Sequence, residues 1–276
     1  MQFSLQQLAH SAIDIAASAG ESILQFFEQG NFEQFSKGDE SPVTSADYAA
    51  NEVVMGALQQ LTPDIPIMSE ETEGLPLADR KDWRRYWLID PLDGTQEFVA
   101  GRVDFAVNIA LIEDGRPILG VVHAPVTKTT YWACIGQGTH KLVNGVSQQL
   151  KAKPINPEKP YLRVAISRVQ TLETITKYIK PDISIEFISL GSCALKSCLV
   201  SEGSADVYIR VGPTGEWDTG APQIIVEEAG GCIIDSEFKP LTYNQRESFL
   251  NPDFMVTSDK TFDWSTVIIP HQSRRD

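Results

Sequence analysis

Apolar residues recur at helical spacing near the start of the chain: Leu5, Leu8, Ala12, Ile15, Ala19, Ile23 and Phe26. One helix face collects such positions, so the pattern predicts an amphipathic helix that stops before Gly30. A polar stretch from Lys37 to Asp47 follows and runs into a second helix near Ser45. Val54, Leu58 and Leu61 form that helix's core stripe, and Thr62-Pro63 ends it. Residues 65–68 read as a short strand that delivers Glu70, and residues 86–89 as a compact apolar strand. Further strands are predicted over 105–112, 118–122 and 129–135, with Glu113-Asp114-Gly115-Arg116 as a hairpin turn and Asn144-Gly145 as another turn. The first half thus reads as a helix pair followed by a mainly antiparallel meander.

Residues 151–160 are rich in Lys and Pro and lack periodicity, which marks a boundary between a unit over 1–152 and a second over 153–276. Beyond it strand and helix alternate. Strands are predicted over 162–167, 184–188, 205–210, 232–235 and 254–257, and helices over 172–179, 193–202 and 219–229. That alternation predicts an α/β layer domain, so the chain as a whole is of mixed α+β and α/β class. Residues 270–276 read as a frayed tail.

Charge narrows the function classes. A formal charge of −14 over 276 residues excludes a general nucleic-acid binder, which would carry a basic footprint. It leaves room for a small anionic substrate, because metal ions and a few local cations reverse the sign of a pocket. No apolar run approaches the roughly 20 residues of a transmembrane helix, and the N-terminus lacks a signal-peptide pattern. Cys134, Cys193, Cys198 and Cys232 form no Cys-x-x-Cys pair and read as buried, reduced thiols of a cytoplasmic protein.

Candidate chemistry centres on Asp90-Pro-Leu-Asp-Gly-Thr-Gln-Glu-Phe98. Two carboxylates three residues apart stand at a strand exit. Pro91 fixes its own φ and lacks an N–H, so the Leu92 carbonyl can point where the carboxylates point. Gly94 permits a sharp turn, and Thr95 is placed to cap a short helix. Two carboxylates and a main-chain carbonyl at one corner suit a hard cation such as Mg²⁺. Asp-Gly is also an ordinary turn signal, so the stretch alone leaves both readings open. Glu70 and Asp218 stand at the ends of other elements. Four clustered carboxylates repel one another without cations, and paired divalent metals roughly 3.5–4 Å apart are a known device for phosphate-ester hydrolysis. Asp47, in the first turn of the second helix, complements the helix dipole.

These motifs carry a specific resemblance. Trp87-Leu-Ile-Asp90-Pro-Leu-Asp93-Gly-Thr95 and Trp217-Asp218-Thr-Gly-Ala-Pro resemble, in order and separation, the two signatures of the inositol monophosphatase superfamily, over nearly the whole chain. Three pieces look closest to its bisphosphate nucleotidases of the CysQ type: Lys37-Gly-Asp-x-Ser-Pro-Val-Thr-x-Ala-Asp47, the 90–98 stretch, and Gly191-Ser-x-x-Leu-Lys196. The resemblance implies a layered αβαβα sandwich and a Mg²⁺-dependent phosphatase with two or three ions per site, inhibited by Li⁺. It implies metal ligation by Glu70, Asp90, the Leu92 carbonyl, Asp93 and Asp218, and water activation by Asp47 and Thr95. Gly94 and Thr95 would offer N–H groups to a phosphate oxygen, with Ser192, Lys196 and Asp218 near the substrate; Arg210, at the end of the next strand, is placed to meet a second phosphate.

The implied substrate is adenosine 3',5'-bisphosphate; an inositol phosphate is the alternative within the superfamily, and a non-catalytic metal-held scaffold the alternative outside it. The resemblance also implies a cytoplasmic location with peripheral contact to the inner membrane. The sequence departs from the pattern at Gly220, where Ala is usual, and at Arg102, Asp104 and Ala106, beside the predicted site. Gly220 is expected to weaken its helix start slightly.

Overall fold

The computed structural model describes residues 3–36, 42–72, 75–158 and 161–270. Lys37 to Ser41 of the polar loop, and the tail beyond 270, lie outside the described residues. The predicted first helix is α1, Leu5–Gln29, opened by a Ser4/Gln7 capping box and closed at Gly30 in the left-handed conformation. The predicted second is α2, Ser45–Leu61. It follows a hairpin of β1, Gln34–Ser36, and β2, Pro42–Thr44.

A seven-stranded sheet comes next, in sequence order. Its strands are β3 Ile67–Ser69, β4 Arg85–Asp93, β5 Ala106–Glu113, β6 Arg116–Ala124, β7 Thr129–Cys134, β8 Gly138–Val143 and β9 Val146–Leu150. Only the β3–β4 pairing is parallel. Two short helices lie within this stretch, α3 Leu77–Arg80 and α4 Thr95–Val99. Both Asp114-Gly115 and Asn144-Gly145 take positive φ at the two central positions, as two-residue hairpins require. Strands β8 and β9 extend the meander beyond the predicted three hairpin strands. Their sequence is too polar for an apolar period to announce them, and β9 is exposed except at Leu150.

The second half supplies α5 Leu172–Thr176, α6 Cys193–Ser201 and α7 Trp217–Ala229. Its strands are β10 Tyr161–Ile166, β11 Ser184–Ser189, β12 Val207–Arg210, β13 Cys232–Asp235 and β14 Phe254–Thr257. They form one sheet in the order β11-β10-β12-β14-β13, parallel across the first three. α5 stops three residues short of the prediction, and α7 begins two residues earlier than predicted.

Four buried clusters show the layering. α1 and α2 pack on one face of the seven-stranded sheet through Trp87, Ile89, Ile109 and Leu111. The other face, with Tyr86, Leu88, Ala110 and Ile112, meets α6 and α7. Those helices rest in turn on one face of the five-stranded sheet, whose far face is covered by α5 and a 3₁₀ turn at Trp264–Thr266. The result is the expected αβαβα sandwich. Strand alternation sets it: along β4 as far as Asp90, odd residues face one helix layer and even residues the other.

α7 lies very close to the sheet. A Cβ on Gly120 would stand 2.4 Å from the Ala221 carbonyl oxygen, and one on Gly220 would stand 2.9 Å from a Leu88 methyl. Gly220 is therefore a contact point between helix and strand, and not merely a weakened helix start. No helix among the described residues is long and apolar enough to cross a membrane.

Candidate active site

A β-bulge builds the first part of the site. Asp90 pairs with Asn108 and Asp93 with Ala106, so Pro91 and Leu92 together oppose a single residue, Val107. Residues three apart on a regular strand point to opposite faces; the extra residue places Asp90 and Asp93 on the same face, towards α6 and α7. Pro91 tolerates the bulge because it has no ladder N–H to lose. The Leu92 side chain is buried in the α1–α2 core while its own N–H donates to Asp90 Oδ1 at 3.0 Å. Gly94 turns the chain at φ 101°, and a Cβ there would crowd the Asp104 carbonyl at 3.0 Å.

Gly94 itself is the N-cap of α4, and Thr95 is its first residue, with no side-chain capping bond. This corrects the expected capping role of Thr95. Its hydroxyl instead donates to Asp47 Oδ1 at 2.9 Å and lies 3.2 Å from the Leu92 carbonyl oxygen. Asp47 is buried and serves two partners. Its Oδ2 accepts from the Thr44 N–H at 2.8 Å and the Thr44 hydroxyl at 2.6 Å, closing a capping box on α2. One carboxylate oxygen of Asp47 thus serves the helix start, and the other accepts from Thr95.

Asp218 comes from the first turn of α7, where its Oδ2 accepts from the Gly215 N–H at 2.7 Å. Oxygens of Asp90, Asp93 and Asp218 lie within 4.8 Å of one another. Glu70, whose N–H donates to the Ile89 carbonyl, stands outside that closest group but shares a hydrogen bond with Asp90. Burial, followed by the charges of Glu70, Asp93 and Asp218, pushes the Asp90 carboxyl well above the ordinary range. Burial, then Asp93 and Glu70, does the same to Asp218. Repulsion within the cluster thus opposes ionisation, and its all-oxygen donor set is the kind a hard divalent cation takes.

Asp93 is held differently. The Ser192 hydroxyl donates to its Oδ2 at 2.5 Å, the Ala194 N–H to the same oxygen at 2.7 Å, and the Cys193 N–H to Oδ1 at 3.1 Å. The start of α6 therefore grips Asp93. Ser192 caps α6 by accepting from the Leu195 N–H, and it does so at φ 52° and ψ 133°. A residue with a Cβ pays roughly 1–3 kcal/mol for such a conformation and keeps it only where its surroundings dictate it.

Lys196 is expected at the substrate; its ammonium is buried, in electrostatic reach of Asp93 and Asp218, and tied to the turn before its own helix. It donates to the carbonyls of Leu190, Gly191 and Ser192, the last at very short range, and lies over the Tyr208 ring. Burial lowers its pKa. Arg210, at the end of β12, donates to the Pro213 carbonyl at 2.9 Å, and its buried Nε has no hydrogen-bond partner among the described residues. It lies in electrostatic reach of Asp218 and Asp93. The structure thus brings Asp47, Glu70, Asp90, the Leu92 carbonyl, Asp93, Gly94, Thr95, Ser192, Lys196, Arg210 and Asp218 to one region, with the Lys196 ammonium buried against the Ser192 turn.

A family model described as the inositol monophosphatase family matches residues 4–262. The chain belongs to the inositol monophosphatase family. It is 39% identical over 262 residues to the 3'(2'),5'-bisphosphate nucleotidase CysQ of Haemophilus influenzae, covering 95% of this chain and 97% of that one. It is 46% identical over 245 residues to the CysQ of Salmonella typhimurium, covering 88% and 96% respectively. Among solved structures, CysQ from Bacteroides thetaiotaomicron superposes with a TM-score of 0.80 at 36% identity, over 94% of this chain and all of that one. Enzymes of the inositol monophosphatase family are in general Mg²⁺-dependent, and the acidic cluster here can hold a metal ion.

Some residues around the site are absent from the sequence-based expectation. Arg168 follows β10 and pairs with Glu97 and Asp104. Its place beyond the carboxyl end of a parallel strand is the signal that could have found it. Arg80 is fully buried, donating to Asn244 and to the Arg246 and Glu247 carbonyls, and it braces the segment whose Asn244 N–H donates to Glu216 beside Asp218. The unpredicted α3 hid it.

Proposed function

We propose that this chain is a Mg²⁺-dependent 3'(2'),5'-bisphosphate nucleotidase. It removes the 3'-phosphate of adenosine 3',5'-bisphosphate to leave AMP and inorganic phosphate. One observation carries the reading beyond the likeness to CysQ enzymes: the Thr95 hydroxyl donates to a buried Asp47 carboxylate, 2.9 Å away, beside the three-carboxylate group. A scaffold that used metal only for structure would need the carboxylates but not this proton-accepting pair.

Glu70, Asp90, the Leu92 carbonyl, Asp93 and Asp218 would hold two or three ions. When bound, the ions neutralise the carboxylate cluster, polarise the phosphate and lower the pKa of water. Thr95 orients the attacking water. Its hydroxyl takes the water's proton while passing its own to Asp47 Oδ1. The water oxygen bonds to phosphorus, the bond to the ribose 3'-oxygen breaks, and that oxygen takes a proton from a solvent water to become the 3'-hydroxyl of AMP. Backbone N–H groups at Gly94 and Thr95 bind a phosphate oxygen, and the Arg210 fork is suited to the second phosphate. Li⁺ inhibition and a cytoplasmic location with peripheral inner-membrane contact belong to the same reading.

The test is turnover of adenosine 3',5'-bisphosphate against inositol 1-phosphate with Mg²⁺ present. A higher kcat/KM for the bisphosphate is expected. The reverse order would move the chain to inositol phosphates and keep the metal-dependent chemistry. Hydrolysis of neither at saturating Mg²⁺ would favour the scaffold.

A further inference from the structure

We propose that Arg168, clamped between Glu97 and Asp104, is a positioning residue that holds the Leu190–Ser192 turn and, through it, Asp93. The inference rests on the reading of Asp93 as a metal ligand.

The turn is over-determined from two sides. From within, the Lys196 ammonium ties together the carbonyls of residues 190–192. From outside, the Glu97 stem packs directly on the turn's backbone. A Cβ on Gly191 would lie 2.4 Å from Glu97 Cγ and 2.9 Å from Asp104 Cβ. Asp104 also accepts from the Gly191 N–H at 3.4 Å. Both carboxylates are buried, and their charges are met by Arg168, which lies 3.1 Å from Glu97 and closer still to Asp104, and by Arg102, 3.0 Å from Glu97.

Arg168 lies in the turn that follows β10 of the five-stranded sheet, while Glu97 and Asp104 belong to the stretch between β4 and β5. The latch therefore spans the two sheets beside the site. It sets the distance between Asp93 and the Ser192, Cys193 and Ala194 donors, and it keeps Ser192 in its strained conformation. Both Arg102 and Asp104 are positions where this chain departs from the usual family pattern, and both have a place in the latch.

A competing role is available to Arg168, since a part-exposed guanidinium beside the site could itself take the second phosphate. The two roles differ in sign. If Arg168 bound substrate, releasing it from its carboxylates would improve binding. If it is a latch, removing any member has the same effect.

The test uses full-length protein with Arg168→Ala, Glu97→Gln and Asp104→Asn. Hydrogen exchange of peptides covering 189–196 is followed without metal. The latch predicts faster exchange in all three variants, by about tenfold, with the rest of the fold unchanged. It also predicts that kcat/KM falls by roughly 10–100-fold, the usual effect of removing a group that orients a ligand. The fall should be equal for adenosine 3',5'-bisphosphate and adenosine 3'-monophosphate. Arg168→Lys keeps the charge and loses the fork that reaches both carboxylates, so it should fall between wild type and Arg168→Ala.

Unchanged exchange in Arg168→Ala would overturn the proposal. So would a gain in bisphosphate kcat/KM in Glu97→Gln and Asp104→Asn. Calorimetric titration of wild type with Mg²⁺ separates the two readings. Absent Mg²⁺ binding would remove the metal reading, while the exchange result would still decide the latch.

Discussion

The stretch that leaves β4 and the turn that enters α6 meet at Asp93, and they are built in opposite ways. The first is local. A bulge at Pro91, a glycine with positive φ and a bond from the Leu92 N–H to Asp90 shape it within a few residues. The second is assembled from distant parts: Lys196 beneath, with Glu97, Asp104 and Arg168 above. Charge divides the same way. Asp90 is crowded by like charges with only local help, whereas Asp93 receives its donors from the start of α6. Two carboxylates that look equivalent in sequence are therefore held differently, one crowded by its neighbours and the other gripped by a helix start.

The largest expected effects come from breaking each carboxylate in turn. Asp90→Asn and Asp93→Asn should both abolish turnover but separate on melting without Mg²⁺. Asp90→Asn relieves repulsion, so its Tm should hold or rise. Asp93→Asn weakens charge-assisted bonds that contribute about 1.5–3 kcal/mol, lowering Tm by roughly 3–10 °C in a chain of this size. From its turn position alone, Asp93 would be expected to cost the fold nothing; the grip of α6 reverses that. Equal melting of the two variants would erase the contrast.

Next in size is Thr95→Val, which keeps the shape and removes the relay. We expect kcat to fall by roughly 10²–10⁴ with little change in KM. A large KM change with kcat intact would assign Thr95 to binding. Lys196→Ala should be milder, with a loss of roughly tenfold or more falling alike on adenosine 3',5'-bisphosphate and adenosine 3'-monophosphate, because the ammonium serves the turn. A loss confined to the bisphosphate would mean that Lys196 swings out to the second phosphate.

A subtler test uses pH. The carboxyls of Asp90 and Asp218 have folded-state pKa values raised above the ordinary 3.8. Their contribution to stability is complete below that value and is lost as pH climbs through the raised ones. The rise in Tm on adding Mg²⁺ should therefore grow with pH above about 4, and grow less in Asp90→Asn. A pH-independent rise would contradict the repulsion. The smallest effect is expected from Gly220→Ala. It gains about 1 kcal/mol of helix propensity and loses a similar amount to crowding against Leu88, so Tm should move little. A clear gain would show that the helix–sheet contact has slack.

What the sequence discloses follows the same local and distant division. Helices α1 and α2, the hairpin turns and the bulged strand exit are legible because periodicity, Gly, Pro and Asx residues act within a few positions. The Asp47–Thr95 pair and the dispersed carboxylates needed family likeness, since no spacing says that they converge. Lys196 was legible only in part. A lysine four residues after a helix-capping serine looks solvent-facing or substrate-facing, and nothing local says that three carbonyls await it. Arg168 and Arg80 were silent because their partners lie far along the chain.

The order β11-β10-β12-β14-β13 carries a consequence for how the molecule comes into being. β14 lies between β12 and β13, so the second sheet cannot close until residues beyond 250 are available. The seven-stranded sheet must likewise wait for α6 and α7 to cover its face of Tyr86, Leu88 and Ala110. Pairings this distant form slowly and leave apolar surface open in the interval. Refolding should accordingly show early strand signal from residues 85–134 and late, concerted protection of β12 to β14 in pulsed hydrogen exchange. Simultaneous protection of both sheets from the first time point would contradict that order. The chain would then spend its early life as a half-covered sheet, and the corner where Asp218 joins Asp90 and Asp93 would be among the last things to exist.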